Sequence, residues 1–135
     1  MSDCFTPEAR SAVMRAVKST NTMPELRVQD CVRSLRRRYR LGGEGLPGKP
    51  DLVFRSRHCV IFVHGCFWHG HDCARGMRIP QTNADYWRRK IDRNRARDTA
   101  HLDALTARGW RVLTVWECQT RDTGALRVSV GDFLR

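Results

Sequence analysis

Cys66, His71 and Cys73 lie within eight residues, in the pattern C-x4-H-x-C, and Cys118 follows 45 positions after Cys73. Two thiolates, one imidazole and a distant third thiolate form a Cys3His set, the donor complement of a closed, four-ligand structural Zn2+ site with no position left for water. His69 competes with His71 for the imidazole position, and spacing alone leaves both open. The need for a metal here is local. Residues 65–82, GCFWHGHDCARGMRIPQT, have no apolar period with which to build a core, so an ion would anchor this loop to the elements beside it. The plainer alternative is four residues that merely fall close in sequence.

A second group suits hydrolysis. Asp51 follows Pro50 after the glycine-rich turn LGGEGLPGKP, which lets a phosphate or metal approach the backbone. His64 ends an apolar run, His69 lies in the loop after it, and Glu25 lies near the start of a helical stretch. Carboxylates hold a hard cation such as Mg2+ through oxygen. The cation stabilises charge on a phosphate, and an imidazole can take a proton from water or return one. Each residue also has a plainer role. Asp51 could cap the turn, Glu25 could complete a capping box with Thr22, His64 could satisfy a strand-end carbonyl, and His69 could face solvent. Asn94 and Asp98 lie in a polar helical stretch where they could orient water or phosphate, a weak signal by itself.

The elements that must position these groups are legible in outline. Thr6 and Pro7 suit an N-cap and first turn, and they open a short basic helix over about 6–18 with a thin apolar stripe. Thr22 and Glu25 have capping-box spacing, and a second helix follows with Leu26, Val28, Cys31, Val32, Leu35 and Tyr39 as its apolar face. Asp51 to Phe54 and His58 to His64 read as strands joined by a turn at Arg55 to Arg57. On the second of these, Val60, Phe62 and the two flanking histidines share one face, and Cys59, Ile61 and Val63 the other. Asn83 to Arg108 is a long helix marked by Tyr86, Trp87, Ile91, Leu102 and Leu105, with Gly109 as its stop. Residues 111–117 form a further strand, parallel to a neighbour because a crossover helix precedes it. The segment from Arg121 is a short helix or an edge strand. The sum is an α/β fold with a central mixed β-sheet flanked by helices, in a single domain spanning 1–135.

Composition narrows the partner. Lys and Arg total 25 against 14 acidic residues, a formal charge of +11 on 135 residues. Most of that charge is Arg, whose planar fork suits phosphates and base edges. Such an excess on a small domain implies a polyanion. No apolar run is long enough to span a membrane, and Met1 to Thr6 lack a signal-peptide core, which points to the cytoplasm or the nucleoid. Cys4, Cys31 and Cys59 stand alone and read as buried or inert thiols. Phe67 and Trp68 are adjacent in a loop, where exposing both is costly unless they meet something. Aromatic wedges that open a base step fit, and a mispair lowers the cost of opening. Trp87 and Met14 could add to this surface, although core packing accounts for either. Trp110 and Trp116 read as core.

The stretches LPGKPDLVF, CVIFVHGCFWHGHDC and GWRVLTVWEC together closely resemble the very-short-patch mismatch repair endonuclease family, over about Ser11 to Cys118. The resemblance implies a restriction-endonuclease-like fold. It also implies nicking of one DNA strand on the 5′ side of the thymine in T·G mispairs left by deamination of 5-methylcytosine. Residue by residue, it makes Asp51 the principal Mg2+ ligand, with the backbone carbonyl of Val63 beside it, His69 the general base, His64 its catalytic neighbour, and Glu25 close to the hydrated metal. It makes Cys66, His71, Cys73 and Cys118 the zinc ligands, which selects His71 over His69. Phe67, Trp68 and Trp87 match the intercalating aromatics, and the 6–18 helix clasps DNA with Met14 as a contact. The E-x-K pair of the wider nuclease superfamily is replaced here by Phe62 and His64, and Val63 stands where Thr is expected. The implied partners are duplex DNA with a T·G mispair, other mismatch-repair proteins and a repair polymerase. One nick needs one active site, so a monomer suffices.

Overall fold

The computed structural model describes residues 22–43, 45–74, 76–77 and 79–135. The basic helix expected over 6–18, with Met14, and Cys4 lie outside the described residues.

Helix α1 (Met23–Ser34) starts where its capping sequence places it. The Glu25 N–H donates to Thr22 Oγ1 at 3.5 Å, and Pro24 sits in the first turn. The helix ends before Leu35, which, with Tyr39, packs on the core from the connection beyond it. Four strands follow, β1 (Arg40–Leu41), β2 (Leu52–Phe54), β3 (Cys59–His64) and β4 (Arg111–Trp116), in the sheet order β1-β2-β3-β4. β2 is antiparallel to both β1 and β3, and β3 is parallel to β4. A 3-10 turn at Arg55–Arg57 joins β2 to β3. Helix α2 (Ala84–Ala107) makes the crossover that a parallel β3–β4 pair requires. A 3-10 segment (Glu117–Arg121) leads to α3 (Thr123–Phe133), so the last stretch is the helix of the two expected alternatives.

β3 is buried on both faces, and its alternation builds two cores. Cys59, Ile61 and Val63 face Val28 and Val32 of α1 and Leu126 and Val130 of α3. Val60 and Phe62 face Leu105 of α2 and Trp110. Each fully buried aliphatic side chain contributes roughly 1.5–3 kcal/mol over its exposed state, which holds β3 in one register. Two expected apolar markers of α2, Tyr86 and Leu102, are exposed instead. The helix needs only Trp87, Ile91 and Leu105 to seat it on the sheet. Among the described residues, no helix is long and apolar enough to cross a membrane.

Candidate active site and metal centre

The carboxyl end of β3 is where both clusters assemble. Asp51 leads into β2 beside it. The Asp51 N–H donates to Ile61 O at 3.1 Å, and the Val63 N–H donates to Asp51 Oδ2 at 2.6 Å. The second bond clamps the carboxylate against the strand end. A cleft of about 540 Å³ opens there. Thr22 and Glu25 from the start of α1, Lys49 and Asp51, His64 and His69, and Phe67 and Trp68 all line it. From α2 come Lys90, Asn94, Arg97, Asp98 and His101, one polar face of the helix at i, i+4, i+7, i+8 and i+11. Gly48 belongs to the wall in a way no other residue could. Its φ is +76°, and a Cβ there would lie 2.8 Å from the His101 ring.

His64 and His69 stack, with ring centroids 3.8 Å apart and planes within 3°. His69 Nδ1 lies 2.6 Å from Asp98 Oδ2, and His64 Nδ1 lies 4.0 Å from the same oxygen. Asp98 therefore orients His69, a pairing across 29 residues; the sequence offered Asp98 only as a group that could orient water or phosphate. His64 Nδ1 is buried and has no hydrogen-bond partner among the described residues. Burial, reinforced by the adjacent His69, pushes His64 down to about 4, so it is neutral near neutral pH. Burial likewise pushes the Asp51 carboxyl up to about 6, and repulsion from Glu25 adds to this, while the Val63 N–H opposes both. A buried acid with a second carboxylate nearby gains from a cation. The donor set on this side is oxygen, which fits a hard ion. The ligand atoms of His64, His69 and Asp98 also converge within 4.8 Å of one another, but two imidazoles suit a softer metal.

Behind the 65–73 loop, the ligand atoms of Cys66, His71, Cys73 and Cys118 all lie within 4.8 Å of one another. This is a Cys/His metal-binding cluster consistent with structural zinc. His71, not His69, enters it: Cys118 Sγ lies 3.6 Å from His71 Nδ1, while His71 Nε2 lies 3.5 Å from Asp72 Oδ1. The Cys118 and Gly76 N–H groups each donate to a sulfur, Cys66 Sγ and Cys73 Sγ, at 3.4 Å. Such bonds favour thiolates. Burial pushes the metal-free Cys66 thiol up to about 12, so without an ion Cys66 is a neutral thiol. Gly76 is needed where it stands, since a Cβ would lie 2.0 Å from His71 O.

The aromatics divide. Phe67 and Trp68 are half-buried at the cleft, in edge contact with each other and with Trp87. Trp87 is buried beneath them rather than lining the cleft. Asn94 Nδ2 donates to Trp68 O at 2.8 Å and ties this loop to α2. Trp110 is core, as expected, but Trp116 is not. It is half-buried, stacks on His71 with ring centroids 4.4 Å apart, and meets the His64 ring in a T-shaped contact with centroids 5.3 Å apart.

A clamped carboxylate facing a His–Asp pair, beside a Cys3His cluster in one loop, invites comparison with known proteins. The family model for DNA mismatch endonuclease Vsr matches residues 2–75, more than half of the chain. The chain belongs to the Vsr DNA mismatch endonuclease family. It is 48% identical over 134 residues to a type II nicking enzyme, V.XorIIP, of Xanthomonas oryzae pv. oryzae, covering 99% of this chain and 98% of that one. The type II nicking enzyme V.NmeAIP of Neisseria meningitidis is 38% identical over 135 residues, covering 100% and 96% of the two chains. The DNA mismatch endonuclease Vsr of Escherichia coli is 40% identical over 121 residues, covering 90% and 77%. This Vsr-family chain is accordingly a DNA-nicking endonuclease. Asp51, His64, His69, Cys66, His71 and Cys73 fall within the matched segment, and Asp98 and Cys118 reach the two clusters from beyond it.

Proposed function

We propose that this endonuclease nicks one strand of duplex DNA on the 5′ side of the thymine in a T·G mispair, such as deamination of 5-methylcytosine leaves, and so starts a short repair tract that other repair proteins and a polymerase complete. One observation carries the chemistry: the Asp51 carboxylate, clamped on the Val63 N–H, and the His69–Asp98 pair line one cleft. Asp51, the Val63 carbonyl and, close by, Glu25 are the groups that would hold Mg2+. When bound, the ion neutralises charge building on the phosphate.

The chain's own residues do the rest. His69 takes the proton of the attacking water at Nε2, while Asp98 accepts the Nδ1–H bond and fixes the tautomer. The water oxygen bonds to phosphorus as the bridging P–O bond opposite breaks, and the departing sugar oxygen takes a proton from solvent. Neutral His64 stacks flat on His69 and limits its tilt. Lys49, Lys90 and Arg97 line the cleft and would hold flanking phosphates. Phe67 and Trp68, at the same mouth, would enter the opened step beside the mispair, with Trp87 supporting them from below.

The test is a Mg2+-dependent nicking assay on duplexes carrying each mispair in fixed flanks, wild type beside Asp51→Ala. Cutting confined to T·G and abolished in the variant is expected. Equal cutting of every mispair would refute the T·G specificity, and an active Asp51→Ala would refute the site.

A further inference from the structure

His64, His69 and Asp98 form a donor set that the Mg2+ chemistry leaves unused. Asp98 Oδ2 lies 2.6 Å from His69 Nδ1 and 4.0 Å from His64 Nδ1. The donor atoms of all three side chains lie within 4.8 Å of one another, the same compass as the Cys3His cluster. In a tetrahedral zinc site, bonds of about 2.0–2.1 Å hold the donors about 3.3 Å apart, a spacing that the 2.6 and 4.0 Å distances bracket. Small side-chain rotations, with the stacked rings splaying from their 3.8 Å centroid separation, bring both nitrogens onto one ion. His64 gives up no hydrogen bond in doing so, because its buried Nδ1 has none among the described residues. A cation there would supply the partner that this atom lacks. All three side chains line the cleft and are 12%, 25% and 25% exposed, so an ion can reach them from the DNA side. Two imidazoles and one carboxylate select an ion of the zinc class, whereas Mg2+ prefers the oxygens on the Asp51 side.

We propose that His64, His69 and Asp98 form an inhibitory site for a divalent cation of the zinc class, sharing no donor with the Mg2+ site or the Cys3His cluster. The inhibition rests on the reading of His69 as general base and follows from its tautomer. That role requires the ring proton on Nδ1, donated to Asp98, and a free lone pair on Nε2. A cation on Nδ1 takes the lone pair there, and the neutral ring must then carry its proton on Nε2. The ring gains and loses no net proton, yet Nε2 can no longer accept one from the attacking water. Asp98 becomes a ligand at the same time and ceases to enforce the active tautomer. The Cys3His cluster, with three thiolates, fills first. The same ion thus completes the fold when scarce and closes the active site when in excess.

The experiment titrates the protein, already holding one zinc equivalent in the Cys3His cluster, with Co2+ and follows visible absorption. An ion held by nitrogen and oxygen shows d–d bands without the sulfur-to-cobalt charge transfer of a thiolate site. Wild type and Asp51→Ala should each take up this second equivalent. His64→Phe, which keeps a stacking ring but no donor, and Asp98→Asn should not, while a retained zinc equivalent and cooperative melting show that they fold. Should either variant fold poorly, nitrogen-15 spectra of the wild-type histidines decide instead: Zn2+ beyond the first equivalent should move the His69 proton from Nδ1 to Nε2. In single-turnover nicking at saturating Mg2+, the same excess of Zn2+ should slow wild type at least about 100-fold, the scale of a lost general base, with a midpoint independent of Mg2+. A wild type that binds no second ion, a second ion lost in Asp51→Ala or kept in both other variants, or an unmoved His69 tautomer overturns the site. A second ion that moves the tautomer and leaves nicking intact overturns the inhibition, and with it the assignment of His69 as base.

Discussion

Asp51→Asn should abolish nicking and yet stabilise the magnesium-free protein. Burial raises the Asp51 carboxyl from 3.8 to about 6, chiefly through lost hydration. An acid raised by folding stabilises the fold while it is protonated, below its unfolded value, and loses that contribution as pH rises through the folded value. From 3.8 to about 6 is about 2.2 pH units, which at 1.36 kcal/mol each is about 3 kcal/mol, fully lost above pH 6. Water in the cleft screens part of this, so the figure is an upper bound. Asparagine is neutral at every pH and still offers an oxygen to the Val63 N–H, so the clamp survives. Melting the zinc-loaded, magnesium-free proteins at about pH 7.5 should show the variant higher by up to roughly 12 °C. At about pH 5 the gap should shrink to roughly half, and below about pH 4 it should vanish. Added Mg2+ should raise the wild-type melting point by linkage and leave the variant unmoved. A variant that melts at or below wild type near neutral pH would refute the assignment of Asp51 as a desolvated carboxylate awaiting a cation, and so would a gap independent of pH.

Three further outcomes follow from the same geometry. Chelation of zinc, or Cys118→Ser, should cost nicking and cooperative melting together, because a four-ligand site contributes on the order of 10 kcal/mol; zinc release and near-ultraviolet circular dichroism report it. His69→Ala should lower the single-turnover nicking rate by roughly 10²–10⁴ with DNA binding intact, and Asp98→Asn should lower it less, since it removes the orienting charge and leaves the base. Phe67→Ala or Trp68→Ala should weaken binding to mispaired duplex by roughly 1–3 kcal/mol and matched duplex by less, read by competition binding, with zinc content unchanged.

The fold was legible where one physical requirement acted alone. Alternation in β3 was readable because both faces are buried and each side chain has one place to go. The parallel β4 and the stop at Gly109, φ +83°, followed from a long crossover helix and a left-handed terminus. β1 was not readable. Two residues carry no period, and they pair only because β2 leaves an open edge beside them. The site split along the same line. The Cys3His set declared itself by spacing, but the choice between His69 and His71 needed family resemblance or geometry, since both imidazoles lie in one loop. Asn94 and Asp98 were legible as groups that could orient water or phosphate, whereas Lys90, Arg97 and His101 were visible only as a polar helix. Their shared face at helical spacing was a usable signal, but which of them meets His69 depends on where α2 lands on the sheet. Trp116 was misread as core because a large aromatic at a strand end has two ways to be covered, and here a metal-site imidazole covers it.

That last contact joins the two centres. His69 and His71 are two residues apart in one loop, yet one faces Asp98 across the cleft and the other faces the thiols. Trp116 contacts both: it stacks on His71, and it meets His64 and His69 in T-shaped contacts with ring centroids 5.3 and 6.3 Å apart. The loop is tied to α2 through the Asn94–Trp68 hydrogen bond, and a metal at the cluster would fix His71; His69 is joined to His71 through a short, glycine-containing link. Zinc bound at this cluster would thus act as a positional restraint on His69, the proposed general base. A shift of 1 Å there lengthens the 2.6 Å bond to Asp98 beyond hydrogen-bond range, and the tautomer that the reaction needs is then no longer enforced. For the same reason the cluster cannot be exchanged for an apolar plug of equal volume. Packing would restore burial, but packing alone does not fix the direction in which a loop imidazole points.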